Sequence, residues 1–173
     1  MHQESSLERQ VAELLALSRD FTRIIENLES IDPEQFTSYL FRINMLLYVA
    51  GMAMPETEEP DYAGDHFVTE EQWETVFNGI SNKLNKGNEL LFNSGSDIET
   101  ASIAEYCADI YQDLKDFELQ LSKSTTAAVA YSVYEIKQLF KHHWGIRLLR
   151  MQTHLHQLLH PENDSTREYE FYD

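Results

Sequence analysis

Ser102-Ile103-Ala104-Glu105-Tyr106-Cys107-Ala108-Asp109-Ile110-Tyr111-Gln112-Asp113-Leu114-Lys115-Asp116-Phe117-Glu118-Leu119-Gln120-Leu121 is the stretch on which the fold turns. Ile103, Cys107, Ile110, Leu114, Phe117 and Leu121 recur in steps of three and four, an unbroken apolar stripe along one side of a helix. Ser102 with Glu105 makes a capping box at the start. Ser96 with Glu99 fits the same pattern, but the stripe begins directly behind Ser102, which is therefore the preferred start. The stripe places Cys107 on the buried side, as a structural rather than a reactive thiol. A helix with one apolar side needs neighbours to cover it.

Downstream, after the polar turn Ser122-Lys123-Ser124-Thr125, Val129, Val133, Ile136, Phe140, Trp144, Leu148, Met151, Leu155 and Leu158 continue in helical phase. Two successive four-residue steps flank Trp144, so the stripe slips there, next to Gly145, as a stutter would make it. The helix either runs on to about His160 or bends at Gly145. Upstream, Leu7, Val11, Leu14, Phe21, Ile25 and Leu28 predict a first amphipathic helix. Asp32-Pro33 with Gln35 predicts the start of a second, whose Phe36, Leu40, Ile43, Leu47 and Ala50 are joined by enough further apolar residues to place it inside a bundle. Gly51 and Pro55 mark its end. Residues 55–66, acidic and proline-containing, read as a loop, and Thr69 with Gln72 opens a short third helix carrying Trp73, Val76, Phe77, Ile80 and Leu84. Residues 85–96 read as an irregular turn or one brief helical turn. The sum is an all-α fold, an antiparallel bundle of five to six helices in a single domain over residues 1–160. Residues 161–173 form an acidic tail in which Tyr169, Phe171 and Tyr172 are able to dock on a surface.

Composition narrows the function. With 13 Lys+Arg against 30 Asp+Glu the net charge is -17, which repels a phosphate backbone and excludes nucleic acid as the default partner. The most apolar stretch, residues 39–54, is interrupted by Arg42 and Asn44 and is too short for a membrane span of ~20 residues. A single cysteine rules out an internal disulfide and suits a reducing, cytoplasmic setting; the first residues carry no secretory pattern.

Two constellations can carry chemistry. Glu105, Asp109, Asp113 and Asp116 line four carboxylates along one side of the fourth helix, a row able to ligate Mg²⁺ or Mn²⁺ in a hydrolase of phosphorylated small molecules or nucleotides. On the last helix His143, Arg147, Arg150 and His154 form a basic stripe, and His156 and His160 stand one turn apart as a pair able to share a metal. Lys137, Lys141, Arg147 and Arg150 outweigh Glu135 there, so the last helix complements the fourth. In a hairpin turning near Ser124, Asp113 is expected opposite Lys137, Asp109 opposite Lys141, Glu105 opposite His143, and Glu99 opposite Arg150. Carboxylates and cations then neutralise each other beside an apolar seam. The sharper alternative gathers Glu105, Asp109, His142 and His143 into a mixed carboxylate–imidazole metal site, although adjacent His142 and His143 point about 100° apart, which argues against both joining it. Glu70-Glu71-Gln72-Trp73-Glu74 matches one half of the paired acidic motif of helical nucleotide pyrophosphohydrolases, without the second half at its usual distance. No zinc-protease, nucleophile-elbow, phosphate-loop or C-x-x-C pattern occurs.

The run Ala108-Asp109-Ile110-Tyr111-Gln112-Asp113-Leu114-Lys115-Asp116-Phe117, with His143-Trp144-Gly145 downstream, resembles the bacterial domain-of-unknown-function family numbered 5063. The resemblance is specific over residues 102–156 and looser upstream. It implies a compact helical domain of the bacterial cytoplasm and brings no activity with it. The expected function is a protein-interaction or regulatory module that needs no cofactor, has an unidentified protein partner, and allows association of copies through a long helical face. The Mg²⁺/Mn²⁺ hydrolase is the alternative.

Overall fold

The computed structural model describes residues 2–94 and 97–161; the tail expected over 161–173 lies almost wholly outside them. Along the chain run α1 (His2–Glu26), α2 (Pro33–Ala53), α3 (Glu70–Leu84), β1 (Glu89–Ser94), β2 (Asp97–Ser102), α4 (Ile103–Ser122), α5 (Thr126–Leu139) and α6 (Gly145–Leu159). The expected helical bundle is observed, with one small addition, the β1–β2 hairpin.

Helix starts follow the local chemistry. Asp32 accepts from the backbone N–H groups of Glu34 and Gln35, with Pro33 at the first helical position. Thr69 and Gln72 make the full reciprocal capping box of α3. Ser102 accepts from Glu105 N–H, so α4 starts where its stripe begins. Once folded, the stripes meet in one apolar cluster built most heavily from α2 and α4, with Phe21, Phe36, Leu40, Leu47, Ile110, Leu114 and Trp144 among its shielded members. Cys107 is fully buried, its Sγ 3.7 Å from Met151 Sδ, and burial pushes its thiol far above the ordinary range, which leaves it inert.

The slip at Trp144 is a π turn, Phe140–Trp144, that joins α5 to α6 without a break. Gly145 N–H reaches back to Phe140 O, and a Cβ on Gly145 would stand 2.3 Å from that oxygen, which is why the turn needs glycine there. Across the seam, a Cβ on Gly51 would stand 2.4 Å from Trp144 Cη2, so the bare backbone of α2 forms part of the indole's pocket. The buried indole N–H donates to Ile136 O at 3.3 Å.

Asn85–Asn88 form the brief helical turn expected over 85–96, a 3₁₀ turn, but the residues beyond it are strand and correct the rest of that expectation. β1 and β2 pair antiparallel from Glu89↔Ser102 to Ser94↔Asp97, with Leu90 buried opposite Ala101. The overlooked signal is in the sequence, where the dipeptide Gly95-Ser96 separates two short runs, a pattern typical of hairpins. The 55–66 loop is present as expected but well tethered. Tyr62 Oη and Asp65 N both bond the Gln120 amide, Lys141 holds Glu56 at 2.8 Å, and Gly64 lies against the Tyr131 ring. Among the described residues no helix is long and apolar enough to cross a membrane.

Candidate functional site

The acidic side of α4 does face the basic side of the α5–α6 rod, in a different register. His143, not Lys137, stands opposite Asp113, with Nδ1 2.5 Å from Asp113 Oδ2. Arg147, not Lys141, stands opposite Asp109, with Nε donating to Oδ2 at 2.8 Å. Both partners lie six residues beyond the symmetric expectation. The midpoint of the hairpin therefore falls inside α5 rather than at the turn, and the π turn accounts for one of the extra residues. Lys137 serves the end of α2 instead. It is buried and donates to the carbonyls of Gly51 and Met52 at 3.3 and 3.1 Å, neutralising the C-terminal end of that helix. Lys141 pairs with Glu56 instead of Asp109. Arg150 donates to Tyr106 Oη at 3.3 Å; Glu99, its expected partner, has a side chain outside the described set.

Asp109 is the hub. Its Oδ1 accepts from Trp73 Nε1 of α3 at 3.0 Å while Oδ2 holds Arg147, and His143 Nε2 approaches to 3.9 Å. Arg147 also donates to His143 O and lies over the Tyr106 ring. Three helices are thus pinned by one half-buried carboxylate. Asp113 is buried, and burial lifts its carboxyl above the ordinary range, opposed by the His143 contact. Asp116 turns to the loop, where Oδ1 accepts the backbone N–H groups of Phe67 and Val68 at 2.8 and 3.0 Å and Oδ2 meets His66 Nδ1 at 3.2 Å. Glu105, in the first turn of α4, is exposed and does not join His143. His154 bonds Gly87 O at 3.1 Å, away from the carboxylate row. The row expected on one side of α4 therefore splits into a hub, a buried pair, a loop anchor and an exposed end.

Asp113 and Asp116 open on a cavity of ≈ 180 Å³ between α4, α5 and the loop, lined also by His66, Phe117, Tyr131 and Glu135. That is small beside the ~300–1,000 Å³ of typical small-molecule sites. Burial also raises the Glu135 carboxyl, with Asp113 adding to the shift. Among the described residues no three His, Cys, Asp or Glu side chains converge in a metal-holding group. The His156 and His160 rings pack at 4.8 Å, with His156 against Phe41.

A second feature was missed because it becomes apparent only when two distant stretches are compared. None of the 30 Asp+Glu falls between Gln35 and Pro55, or between Ile136 and Pro161. The first stretch holds all of α2 beyond its opening residues Pro33 and Glu34, and the second holds the whole of α6. These helices pack side by side, with Gln152 Nε2 donating to Phe41 O at 3.0 Å and the Tyr48 ring against Phe140. A groove lined by Phe41 and Met45 of α2 and by Gln152, Thr153 and His156 of α6 runs between them. Their outward sides expose Met45, Leu46, Val49 and Met52, and Ile146 and Leu149, each 42% to 59% accessible.

Fold and site together define an all-α bundle stitched by interhelical carboxylate–cation pairs, with one acid-free apolar face. The chain belongs to the family described as "Domain of unknown function (DUF5063)", whose model matches residues 5–161. It is similar to protein BF1032 from Bacteroides fragilis, known from a crystal structure: 25% identity, a TM-score of 0.82, and coverage of 90% of this chain and 95% of that one. No curated protein matches the chain.

Proposed function

We propose that this chain is an interaction module without catalytic activity, and that it docks through the outward face of α2 and α6. The observation that carries the reading is the set of six large apolar side chains exposed on two adjacent helices whose only acidic residue is Glu34, in the first turn of α2. Scattered exposed apolar residues are normal on a soluble surface, but a contiguous patch marks a contact site. Here the patch interrupts a chain of net charge -17. The carboxylates of α4 favour the same reading over metal-assisted hydrolysis: Asp109 and Asp116 have both oxygens engaged by protein groups, and Asp113 holds His143. A row of carboxylates with donors already in place serves the packing of helices.

The test has two arms. Val49→Lys is expected to leave the melting temperature within about 2 °C of the parent, since substitutions on an open face cost within ~0.5 kcal/mol. A large destabilisation would mean the face is packed within the chain and would end the proposal. In the second arm, melts with Mg²⁺, Mn²⁺ and Zn²⁺ are expected to show no shift, because a ligand that binds only the native state must raise its stability. A rise abolished by Asp109→Ala, together with phosphate release from a nucleotide, would transfer the assignment to the hydrolase.

A further inference from the structure

We infer that the occupant of the α2/α6 face is a second copy of this chain, so that two helices of each copy pack as a four-helix layer; the inference rests on the docking face proposed above. Spacing is the first argument. On α2 the outward residues Met45, Val49 and Met52 follow a four-then-three step, and on α6 Ile146, Leu149 and Thr153 follow a three-then-four step. That is the repeat by which one helix presents knobs to the holes of another. A copy of the same chain brings the matching stripes without any further requirement, and a self-complementary patch closes on itself around a two-fold axis.

Charge is the second argument. Two chains of net charge -17 repel wherever their acidic surfaces meet. Docking through α2 and α6 keeps 29 of the 30 carboxylate side chains out of the two contacting helices, and the remaining one, Glu34, lies more than ten residues before Met45, where the apolar face begins. The cations bordering this face are engaged elsewhere. Lys141 pairs with Glu56, Arg42 Nε donates to Ser38 O at 3.2 Å, and Arg150 donates to Tyr106 Oη. Arg42 and Arg150 keep their charge at the border, while the centre of the face, Met45, Leu46, Val49, Met52, Ile146 and Leu149, is apolar and carries no carboxylate, and its association should respond to salt in a characteristic way. Screening weakens the repulsion between the two acidic bodies without touching the apolar contact. Dimerisation tightens as salt rises, whereas an interface built on ion pairs would loosen.

The experiment combines sedimentation of the full chain with methionine oxidation by hydrogen peroxide. Four methionines form a built-in set: Met45 and Met52 are 48% and 59% accessible on the face, while Met54 and Met151 are 2% and 0% accessible inside the bundle. The parent chain is expected to sediment at twice its 20.2 kDa mass. Raising salt from tens to hundreds of millimolar should lower the dimer dissociation constant several-fold. Met45 and Met52 should oxidise several-fold more slowly in the dimer than in the doubly substituted Val49→Lys/Leu149→Lys chain. That variant should be monomeric with unchanged far-ultraviolet circular dichroism, and Met54 and Met151 should stay slow in both. A parent that is monomeric at tens of micromolar overturns the inference, as does a dimer that survives the double substitution or loosens with salt. The methionines then separate the two levels. A monomer with reactive Met45 and Met52 removes the second copy but leaves an open docking face, whereas a monomer with both protected removes the docking face as well.

Discussion

Replacing Asp109 by alanine tests whether the α4 carboxylates are structural. The substitution removes the acceptor for Trp73 Nε1 and for Arg147 Nε in one step. A hydrogen bond to a charged group contributes about 1.5–3 kcal/mol, and leaving a donor unpartnered costs a similar amount when water cannot reach it. The Asp109 and Arg147 side chains retain 17% and 23% exposure, so water recovers part of the loss. A net cost of about 2–3 kcal/mol follows, equivalent to about 5–10 °C in melting temperature for a chain of this size. Urea unfolding followed by circular dichroism measures it, and a double-mutant cycle with Arg147→Ala isolates the pair. A coupling of about 1–2 kcal/mol is expected, above the ~0.2–1 kcal/mol of exposed ion pairs. Trp73→Phe, which preserves the stacking on Phe77 but removes the N–H, should cost about 1 kcal/mol by itself. If Asp109→Ala costs under about 0.5 kcal/mol and shows no coupling to Arg147, the carboxylate is not a hub.

Two further outcomes follow from packing and burial. Gly51→Ala forces a methyl group against Trp144 and Phe140, whose contacts would be 2.4 and 2.5 Å; overpacking costs ~1–3 kcal/mol, against ~1 kcal/mol recovered in helix propensity, so calorimetry should show a net loss despite the better helix former. Glu135→Gln acts through pH: burial raises the folded carboxyl above its ordinary 4.5, so the folded state holds that proton more tightly and the ionised group opposes folding at pH 7. Denaturation curves should find the variant at least as stable as the parent at pH 7, with its advantage shrinking as pH falls through the raised value toward 4.5; a variant that loses stability only at neutral pH would contradict the sign.

The helices could be read from the chain because each carries its own local instructions. Ser102 with Glu105, Thr69 with Gln72, and Asp32 with Pro33 set three starts, and the doubled four-residue step at Trp144 marks the slip in the stripe, though not that it is built as a π turn. Partner choice in the seam was missed because residues were matched by level alone: Lys137 and Lys141 each follow a residue of the apolar stripe, whereas His143 and Arg147 each precede one, and it is that second flank which faces Asp113 and Asp109. Nothing in the neighbourhood of Lys137 marks it as the cation that closes α2, since its acceptors, Gly51 and Met52, are backbone carbonyls of a distant stretch. Asp116 was read as one member of a row for the same reason: its real partners, the amides of Phe67 and Val68, have no side-chain signature. The apolar face corrects an expectation: the further apolar residues of α2 predict a helix inside the bundle, yet Met45, Leu46, Val49 and Met52 stand exposed on its outer side. The basic excess of the last helix was plain, but the absence of acid between Gln35 and Pro55 gains meaning only once α2 and α6 are neighbours.

The surplus residue in Phe140–Trp144 also governs how this stretch of chain can change. Each residue added to or taken from a helix rotates everything beyond it by about 100°. Deleting one residue there would relax the backbone into an ordinary helix and leave Leu148, Met151 and Leu155 facing the interior and Arg147 beside Asp109, because the bond that closes the π turn spans one residue more than the α-helical bond that would replace it. The turn is thus the one place in the α5–α6 rod where a residue can be lost without re-aiming α6, whereas the same change in the regular helix on either side would rotate all that follows.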